Sequence, residues 1–243
     1  FKGGNHNSIF ATIYDTITLL FQTNEEIMTP IVTFGGRSTN VAKRNNNKTL
    51  WIATYQVTYE DDSEISEELI GYSIEFQDLA GNGGVTYISD VSITIDTVHP
   101  SIIETTTDKP SGFYTTGEKI YINVTFQETV FVTGYPYIIL DLSGTHVNAP
   151  YIDGSGSAIL TFEYEVLDTH NTALGEFLVY TGSFDLSEGE IKDSAGNDAD
   201  LDLPGPTDFG KEIVIDTISP VVTIESFKGG NHNSIFATIY DTI

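Results

Sequence analysis

The sequence predicts an all-β protein in which two β-sandwich modules follow one another along the chain. Apolar residues recur with a period of two, clusters of Gly, Asn and Asp interrupt these runs, and no stretch shows the 3.6-residue period of a helix. The chain has 243 residues, of which 40% are hydrophobic and 12% aromatic. This length and composition allow two domains, each with a core of its own.

The first half of the chain contains five predicted strands. In the clearest of them every second residue from Trp51 to Tyr59 is apolar or aromatic, which is the pattern of a half-buried strand. Turn-forming residues separate the strands, for example at Gly35 and Gly36 and at Asn45–Asn47. The five predicted strands are Thr16–Phe21, Ile31–Phe34, Trp51–Tyr59, Gly71–Phe76 and Val91–Ile95.

The second half shows the same alternation. Apolar residues occupy every second position from Ile120 to Phe126, and a Gly-rich turn follows at Asp153–Gly156. The predicted strands here are Ile102–Thr106, Ile120–Phe126, Tyr137–Leu142, Ala158–Val166 and Glu212–Ile215. Several short strands per hundred residues, without a helical stretch, predict a Greek-key sandwich of immunoglobulin type in each half.

An exact repeat relates the two ends of the sequence. Residues Phe1–Ile17 recur letter for letter as Phe227–Ile243, which gives a period of 226 residues. Seventeen identical residues do not recur by chance, so we expect this chain to be one period, with a short overlap, of a long array of nearly identical repeats.

Each period also repeats internally. Ile95–Pro100 corresponds to Ile215–Pro220, and Asp78–Asn82 corresponds to Asp193–Asn197. Both halves also carry an acidic step shortly after an early strand, which ends at Glu25 in the first half and at Glu128 in the second. We predict a first module at 1–97, a second at 98–217, and the start of the next copy at 218–243. The first strand of the first module is expected to come from the preceding repeat, as Val221–Ile224 would serve the next copy. Residues 218–243 alone would leave an open edge.

These motifs resemble the tandem immunoglobulin-like domains of giant extracellular proteins. An Ile-Asp-Thr-x-x-Pro linker follows a last strand, and Asp-x-Ala-Gly-Asn precedes it. Such domains occur in bacterial adhesins, in biofilm-matrix proteins and in surface proteins of some microbial eukaryotes. The resemblance is carried by Thr29–Gly36, Trp51–Tyr55, Phe76–Asn82, Tyr151–Ser157, Leu160–Tyr164 and Ile191–Asn197. It implies spacers, stalks and filaments outside the cell or on its surface, some of which bind calcium near domain junctions.

Charge and composition exclude several classes of function. The formal net charge of −25 disfavours nucleic acid and anionic lipid as partners and favours cations. The sequence has no cysteine, so thiol catalysis and cysteine-based metal sites are excluded. It contains no hydrolase, phosphate-binding or metalloprotease motif and no apolar run long enough to cross a membrane. We therefore expect a protein without enzymatic activity, and no membrane span in this segment.

Calcium is the cofactor that this chemistry favours, because it takes oxygen ligands from carboxylates and amides. The candidate ligands lie at the predicted junctions between modules. They are Asp78, Asn82, Asp96, Asp193, Asn197 and Asp216. The alternative is that these residues only cap turns and that Asp96 and Asp216 accept hydrogen bonds from linker amides.

Two sequons are candidate glycosylation sites. Asn47 lies in a predicted hairpin loop, and Asn123 lies on a predicted strand with its side chain facing outward. A chain this rich in Asn and Thr also produces about two sequons by chance, so their number is not evidence of glycans.

The sequence predicts a structural function. Modules joined end to end by short Pro-containing linkers would form a stiff extracellular stalk, filament or surface fibre. The partners would be neighbouring repeats of the same protein, or other copies in a fibre that assembles through a free strand edge. The alternative is an adhesin module that binds carbohydrate or a cell-surface partner through outward-facing tyrosines such as Tyr121.

Overall fold

The computed structural model describes residues 9–58, 67–89, 91–204 and 207–223. These residues form strands arranged in several sheets, and none of them lies in a helix. The all-β prediction is therefore confirmed. No helix in the described ranges has the length and apolar character needed to cross a membrane.

The described residues of the N-terminal half form ten strands, β1 to β10. They are β1 (Phe10–Ala11), β2 (Thr16–Gln22), β3 (Ile31–Phe34), β4 (Arg37–Ser38), β5 (Asn40–Lys43), β6 (Leu50–Gln56), β7 (Glu67–Ile70), β8 (Tyr72–Glu75), β9 (Tyr87–Ile88) and β10 (Ile93–Asp96). They form three sheets with the strand orders β2-β6-β5, β4-β3-β8-β9 and β1-β10-β7. The first strand, β1, runs parallel to the last strand, β10.

The alternation along these strands buries one face of each and forms the N-terminal core. In β2, Ile17 and Leu19 are buried while Thr16 and Leu20 are exposed. The buried residues of β2 and β6 pack with those of the other two sheets, for example Phe34 of β3. The core residues are Ala11, Ile17, Leu19, Val32, Phe34, Ala53, Val57, Ile70, Ile74, Ile93 and Ile95.

In the part of the C-terminal half that the structure describes there are nine strands, β11 to β19. They are β11 (Ile102–Thr107), β12 (Gly112–Tyr114), β13 (Lys119–Thr133), β14 (Tyr137–Leu142), β15 (Thr145–Asp153), β16 (Ser157–Glu165), β17 (Val179–Asp185), β18 (Glu190–Lys192) and β19 (Ile213–Ile215). The main sheet has the order β11-β13-β16-β15-β14-β17, with β18 paired to β13. As in the N-terminal half, a short early strand, β12, runs parallel to the last strand, β19.

The C-terminal core is built on buried aromatic rings. Phe162 makes edge-to-face contacts with Tyr151 and Phe184, and Tyr180 makes one with Phe209. The two core clusters share no residue. Each half therefore has a separate hydrophobic core, and the burial of apolar surface in that core stabilises the half.

An irregularity in β13 divides this strand into two parts. Its pairing with β16 is regular up to Thr125 and shifts register before Val130, after which the strand pairs with β18. The register with β16 shifts between Thr125 and Val130, but the side chains keep their alternation, because Phe126 and Val130 are buried while Gln127 and Thr129 are exposed. Glu128 lies in this segment, is half-buried, and is in phase with the buried residues.

The predicted strands with clear alternation are confirmed, with differences at their ends. Of the run predicted from Trp51 to Tyr59, β6 ends at Gln56, because its partner β2 begins at Thr16, the residue that pairs with Gln56. Tyr59 lies outside the described residues. Val221–Thr223, expected as the start of a strand, lies outside any strand. The identical terminal segments fall largely outside the described residues, so the predicted frame of repeats stays a prediction.

Candidate functional site

The Asp193–Asn197 turn is held together by the side chain of its first residue. Asp193 Oδ1 accepts the backbone N–H groups of Ala195, Gly196 and Asn197 at 2.8, 2.7 and 2.9 Å. Its Oδ2 accepts Asn197 Nδ2 at 2.7 Å. Gly196 has a φ of 102°, a conformation that glycine adopts without strain. The turn therefore fixes the positions of both the carboxylate and the amide.

Asn197 connects the two halves of the chain. Its Nδ2 donates to the backbone carbonyl of Asp96 at 3.0 Å, and its Oδ1 accepts the hydroxyl of Thr12. Asp96 ends β10 and Thr12 follows β1, so one side chain binds the two parallel terminal strands of the N-terminal half. Asn197 is only 6% exposed, and water therefore competes little for these bonds.

Three carboxylates meet at this junction. An oxygen from each of Asp96, Glu128 and Asp193 lies within 4.8 Å of an oxygen from the other two. Asp96 and Asp193 are buried and Glu128 is half-buried. Asp96 Oδ1 also accepts the N–H of Val98 at 3.1 Å, which fixes the carboxylate at the start of the linker. The N-terminal half thus contributes Asp96, and the C-terminal half contributes Glu128 and Asp193.

This arrangement favours a hard cation on geometric and electrostatic grounds. Oxygens that bind one Ca²⁺ ion lie at most about 5 Å apart, since each Ca–O bond is about 2.5 Å long. Two carboxylate charges at the upper limit of this separation, 4.8 Å, repel one another by about 3.5 kcal/mol at an effective dielectric constant of about 20. A bound divalent cation would convert this repulsion into attraction.

The linker between the halves is tied to the C-terminal half by its backbone. The Pro100 carbonyl accepts the N–H of Asp200 at 2.8 Å, and Ser101 pairs with Asp200 in a parallel bridge. His99 Nδ1 lies 2.7 Å from the carbonyl oxygen of Asp198. These contacts restrict the directions that the linker can take.

The equivalent turn of the N-terminal half has the same internal geometry. Asp78 Oδ1 accepts the N–H groups of Ala80 and Asn82, both at 2.8 Å, and its Oδ2 accepts Asn82 Nδ2 at 2.6 Å. The hydrogen bond from the Asn82 side chain is the main cause that lowers the pKa of the Asp78 carboxyl, followed by the backbone bonds. Asn82 is exposed, and Asp78 is half-buried.

The six predicted ligands therefore fall into different environments. Asp96, Asp193 and Asn197 meet at the junction, whereas Asp78 and Asn82 contact each other within one turn. Asp216 ends the C-terminal half, is exposed, and accepts the N–H of Ile218 at 3.0 Å. The alternative expectation that Asp96 and Asp216 accept hydrogen bonds from linker amides is confirmed for both residues.

Two residues of the junction were not predicted as part of a site. Glu128 belongs to the acidic step that both halves share in the sequence, and this shared position was the available signal. Glu128 is half-buried and in phase with the buried residues Phe126 and Val130 of β13. Thr12 has no sequence signal of its own, since its partner Asn197 lies 185 residues away.

The sequon residues differ in accessibility. Asn47 is exposed in the loop between β5 and β6, and its Oδ1 accepts the N–H of Thr49 at 2.9 Å. Asn123 is half-buried in β13, which has β11 and β16 on its two sides, and it accepts the hydroxyl of Thr161 at 3.0 Å. The expected outward-facing Tyr121 is also half-buried.

Comparisons with known proteins do not assign this chain to a family. No family model matches the sequence, and no curated protein matches it. One similar solved structure is a DUF4785 family protein from Legionella pneumophila, with 9% sequence identity and a TM-score of 0.32. The similarity covers 84% of this chain and 55% of that protein, so the chain spans about half of its length.

Proposed function

We propose that this chain is a repeat unit of a long extracellular filament, stalk or surface fibre, in which it acts as a stiff, extended spacer without enzymatic activity. The observation that carries this proposal is the direction of the terminal strands. In the N-terminal half an early strand, β1, pairs with the last strand, β10, and runs in the same direction. In the C-terminal half β12 and β19 are paired in the same way. The chain therefore enters each half at one end and leaves it at the other.

This direction has a mechanical consequence. Modules whose entry and exit lie at opposite ends extend the array with every copy, instead of folding it back. A force along the chain shears the backbone hydrogen bonds between the two parallel strands, so that several bonds must break together. The spacer proposal requires both properties.

The same proposal includes an immunoglobulin-like Greek-key sandwich in each half. The strand order of the C-terminal half supports it. The order β11-β13-β16-β15 corresponds to the first, second, fifth and fourth strands of one sheet of such a sandwich. In addition, β14 pairs with β17 and β12 pairs with β19. The N-terminal half has the related orders β2-β6-β5 and β3-β8. Pro100 would join the two sandwiches, because its fixed φ limits bending.

Calcium at the junction is the second part of the proposal. Asp96, Glu128 and Asp193 would bind the ion, with Asn197 fixing the turn that carries Asp193. Since the ligands come from both halves, bound calcium would oppose any change in the angle between them. It would also stabilise the folded chain, because the unfolded chain cannot form the site.

Small-angle X-ray scattering and thermal unfolding test this proposal together. We expect a maximum dimension that fits two modules in line, and a rise in melting temperature when calcium is added to chelator-treated protein. Asp193→Asn should abolish the rise. Asp78→Asn, in the same type of turn but outside the junction, should retain it. A compact particle would contradict the spacer, and an equal response of both variants would contradict the calcium site.

A further inference from the structure

We propose that the two ends of this chain are complementary docking surfaces, so that a second copy binds head to tail through contacts equivalent to those of the internal junction. This inference rests on the proposed spacer function and identifies its partner surface. The occupant is a second copy of this chain, whether it is the next repeat of one polypeptide or a separate molecule. Three independent features of the two ends support it.

The first feature is that the two sides of a second junction are already formed, one at each end of the chain. The Asp78–Asn82 turn reproduces the internal bonds of the Asp193–Asn197 turn, but its Asn82 is exposed. At the other end, Asp216 accepts the Ile218 N–H just as Asp96 accepts the Val98 N–H. Each end thus presents one part of the arrangement that is complete between the halves.

Thr115 supplies the remaining part of this arrangement. It follows β12 as Thr12 follows β1, and its N–H donates to Glu118 at 2.7 Å as that of Thr12 donates to Asp15 at 3.2 Å. Thr12 binds Asn197, whereas Thr115 is exposed. In a docked pair, Asn82 of one copy would accept the Thr115 hydroxyl of the other and donate to its Asp216 carbonyl.

The second feature is an apolar surface around Asp216. Phe113 is 77% exposed, Ile218 is 72% exposed and Leu174 is fully exposed, and they line a groove of about 580 Å³ that includes Asp216. The counterparts of Ile218 and Phe113 at the internal junction are less exposed. Val98, which corresponds to Ile218, and Phe10, which corresponds to Phe113, are both half-buried.

Covering such a surface removes its apolar groups from water, which favours association with a partner. Exposed apolar groups grouped at one site mark interaction surfaces more often than groups scattered singly. Their position beside Asp216 indicates that the same partner covers the apolar groove and meets the carboxylate.

The third feature is an incomplete sheet edge at the opposite end of the chain. In the C-terminal half, β13 has β11 on one edge, and Ile102 of β11 pairs with Phe126 and packs against the core. Among the strands that the structure describes, β2, the counterpart of β13, pairs only with β6. A groove of about 330 Å³ lies beside β2, lined in part by Phe21 and Thr23.

Val222 matches this groove by its position in the repeat. Val222 follows Pro220 by two residues, as Ile102 follows Pro100. Ile102 pairs with Phe126, and the residue of the N-terminal half that corresponds to Phe126 is Thr23. Val221 and Val222 are exposed and lie outside any strand. In the docked pair this segment would add to the edge of β2 by strand pairing, and Val222 would fill the groove.

Cysteine cross-linking tests the docking directly, because the chain has no native cysteine. The test variant is Thr115→Cys/Asn82→Cys, treated at high protein concentration with an oxidant or with a short bis-maleimide. We expect a ladder of covalently joined chains. Thr12→Cys/Asn197→Cys should cross-link within one chain, which shows that the geometry permits reaction. A further control, Asn148→Cys/Asn82→Cys, pairs Asn82 with a residue on an exposed strand face and should stay monomeric.

A second set of variants separates specific docking from chance collision. Phe113→Asp and Val222→Asp, added to the Thr115→Cys/Asn82→Cys background, should abolish the ladder without changing the melting temperature, because both side chains are exposed. The inference would be overturned if the test variant formed no ladder. It would also be overturned if the ladder were equally strong after the Phe113→Asp and Val222→Asp changes, or in the Asn148→Cys/Asn82→Cys control. If scattering still shows an extended chain in that case, the spacer stands and only the docking fails.

Discussion

Replacement of Asn197 by alanine tests the junction most severely. This side chain forms three hydrogen bonds: it donates to the Asp96 carbonyl and to Asp193, and it accepts the Thr12 hydroxyl. Each bond contributes about 1 kcal/mol net, so Asn197→Ala should lower the free energy of unfolding by about 3 kcal/mol. The matched change Asn82→Ala removes one exposed side-chain bond, to Asp78, and should cost less than about 1 kcal/mol.

Urea unfolding followed by tryptophan fluorescence and by circular dichroism measures both variants. Trp51 is the only tryptophan and lies in β6 of the N-terminal half. Because two of the three bonds of Asn197 cross between the halves, Asn197→Ala should also lower the midpoint that Trp51 reports. Equal losses in the Asn197 and Asn82 variants, or a Trp51 midpoint that does not change, would refute the reasoning.

Three further predictions concern single positions. Gly154→Ala should destabilise the protein by about 3 kcal/mol in urea unfolding, because φ is 112° and the new Cβ would lie 2.1 Å from the Ile159 carbonyl oxygen. The hydrogen bond from Tyr137 lowers the pKa of Asp185, so its stabilisation should be present above the unfolded pKa of about 3.9 and be lost as pH falls through the lower folded pKa. The difference in urea midpoint between wild type and Tyr137→Phe should therefore close in acid, and a constant difference would argue against it. Expression in a eukaryotic secretory pathway should place a glycan on exposed Asn47 and none on half-buried Asn123, which N-glycosidase treatment and mass spectrometry of the peptides would check.

The long strands with clear alternation could be predicted because this alternation is a property of local sequence. The predictions Ile120–Phe126 and Ala158–Val166 correspond to β13 and β16, where a period of two could be recognised. The nine-residue strand Thr145–Asp153 was not predicted, because burial along it does not alternate. Phe10–Ala11 and Gly112–Tyr114 contain only two or three residues, and their pairing depends on strands far along the chain. Tertiary contacts thus determine where the short strands form, and the sequence alone did not predict the parallel pairs that define the direction of the chain.

The candidate site was predictable in part for a similar reason. The repeated Asp-x-Ala-Gly-Asn motif indicated the turns, whose bonds are local, and the shared linker indicated Asp96. The meeting of Asp96 with Asp193 depends on how the two halves are placed, and no local pattern contains that information. Glu128 lies beyond the predicted strand Ile120–Phe126, so its approach to Asp96 and Asp193 also depends on contacts between distant segments.

Electron microscopy of the native assembly that contains this sequence tests the central claim most directly. Each period of 226 residues should appear as two globular units in line, with a constant axial spacing along a straight particle. Addition of a chelator should increase the bending between units if calcium stiffens the junctions. Isolated compact particles, or units joined at random angles with calcium present, would contradict the account.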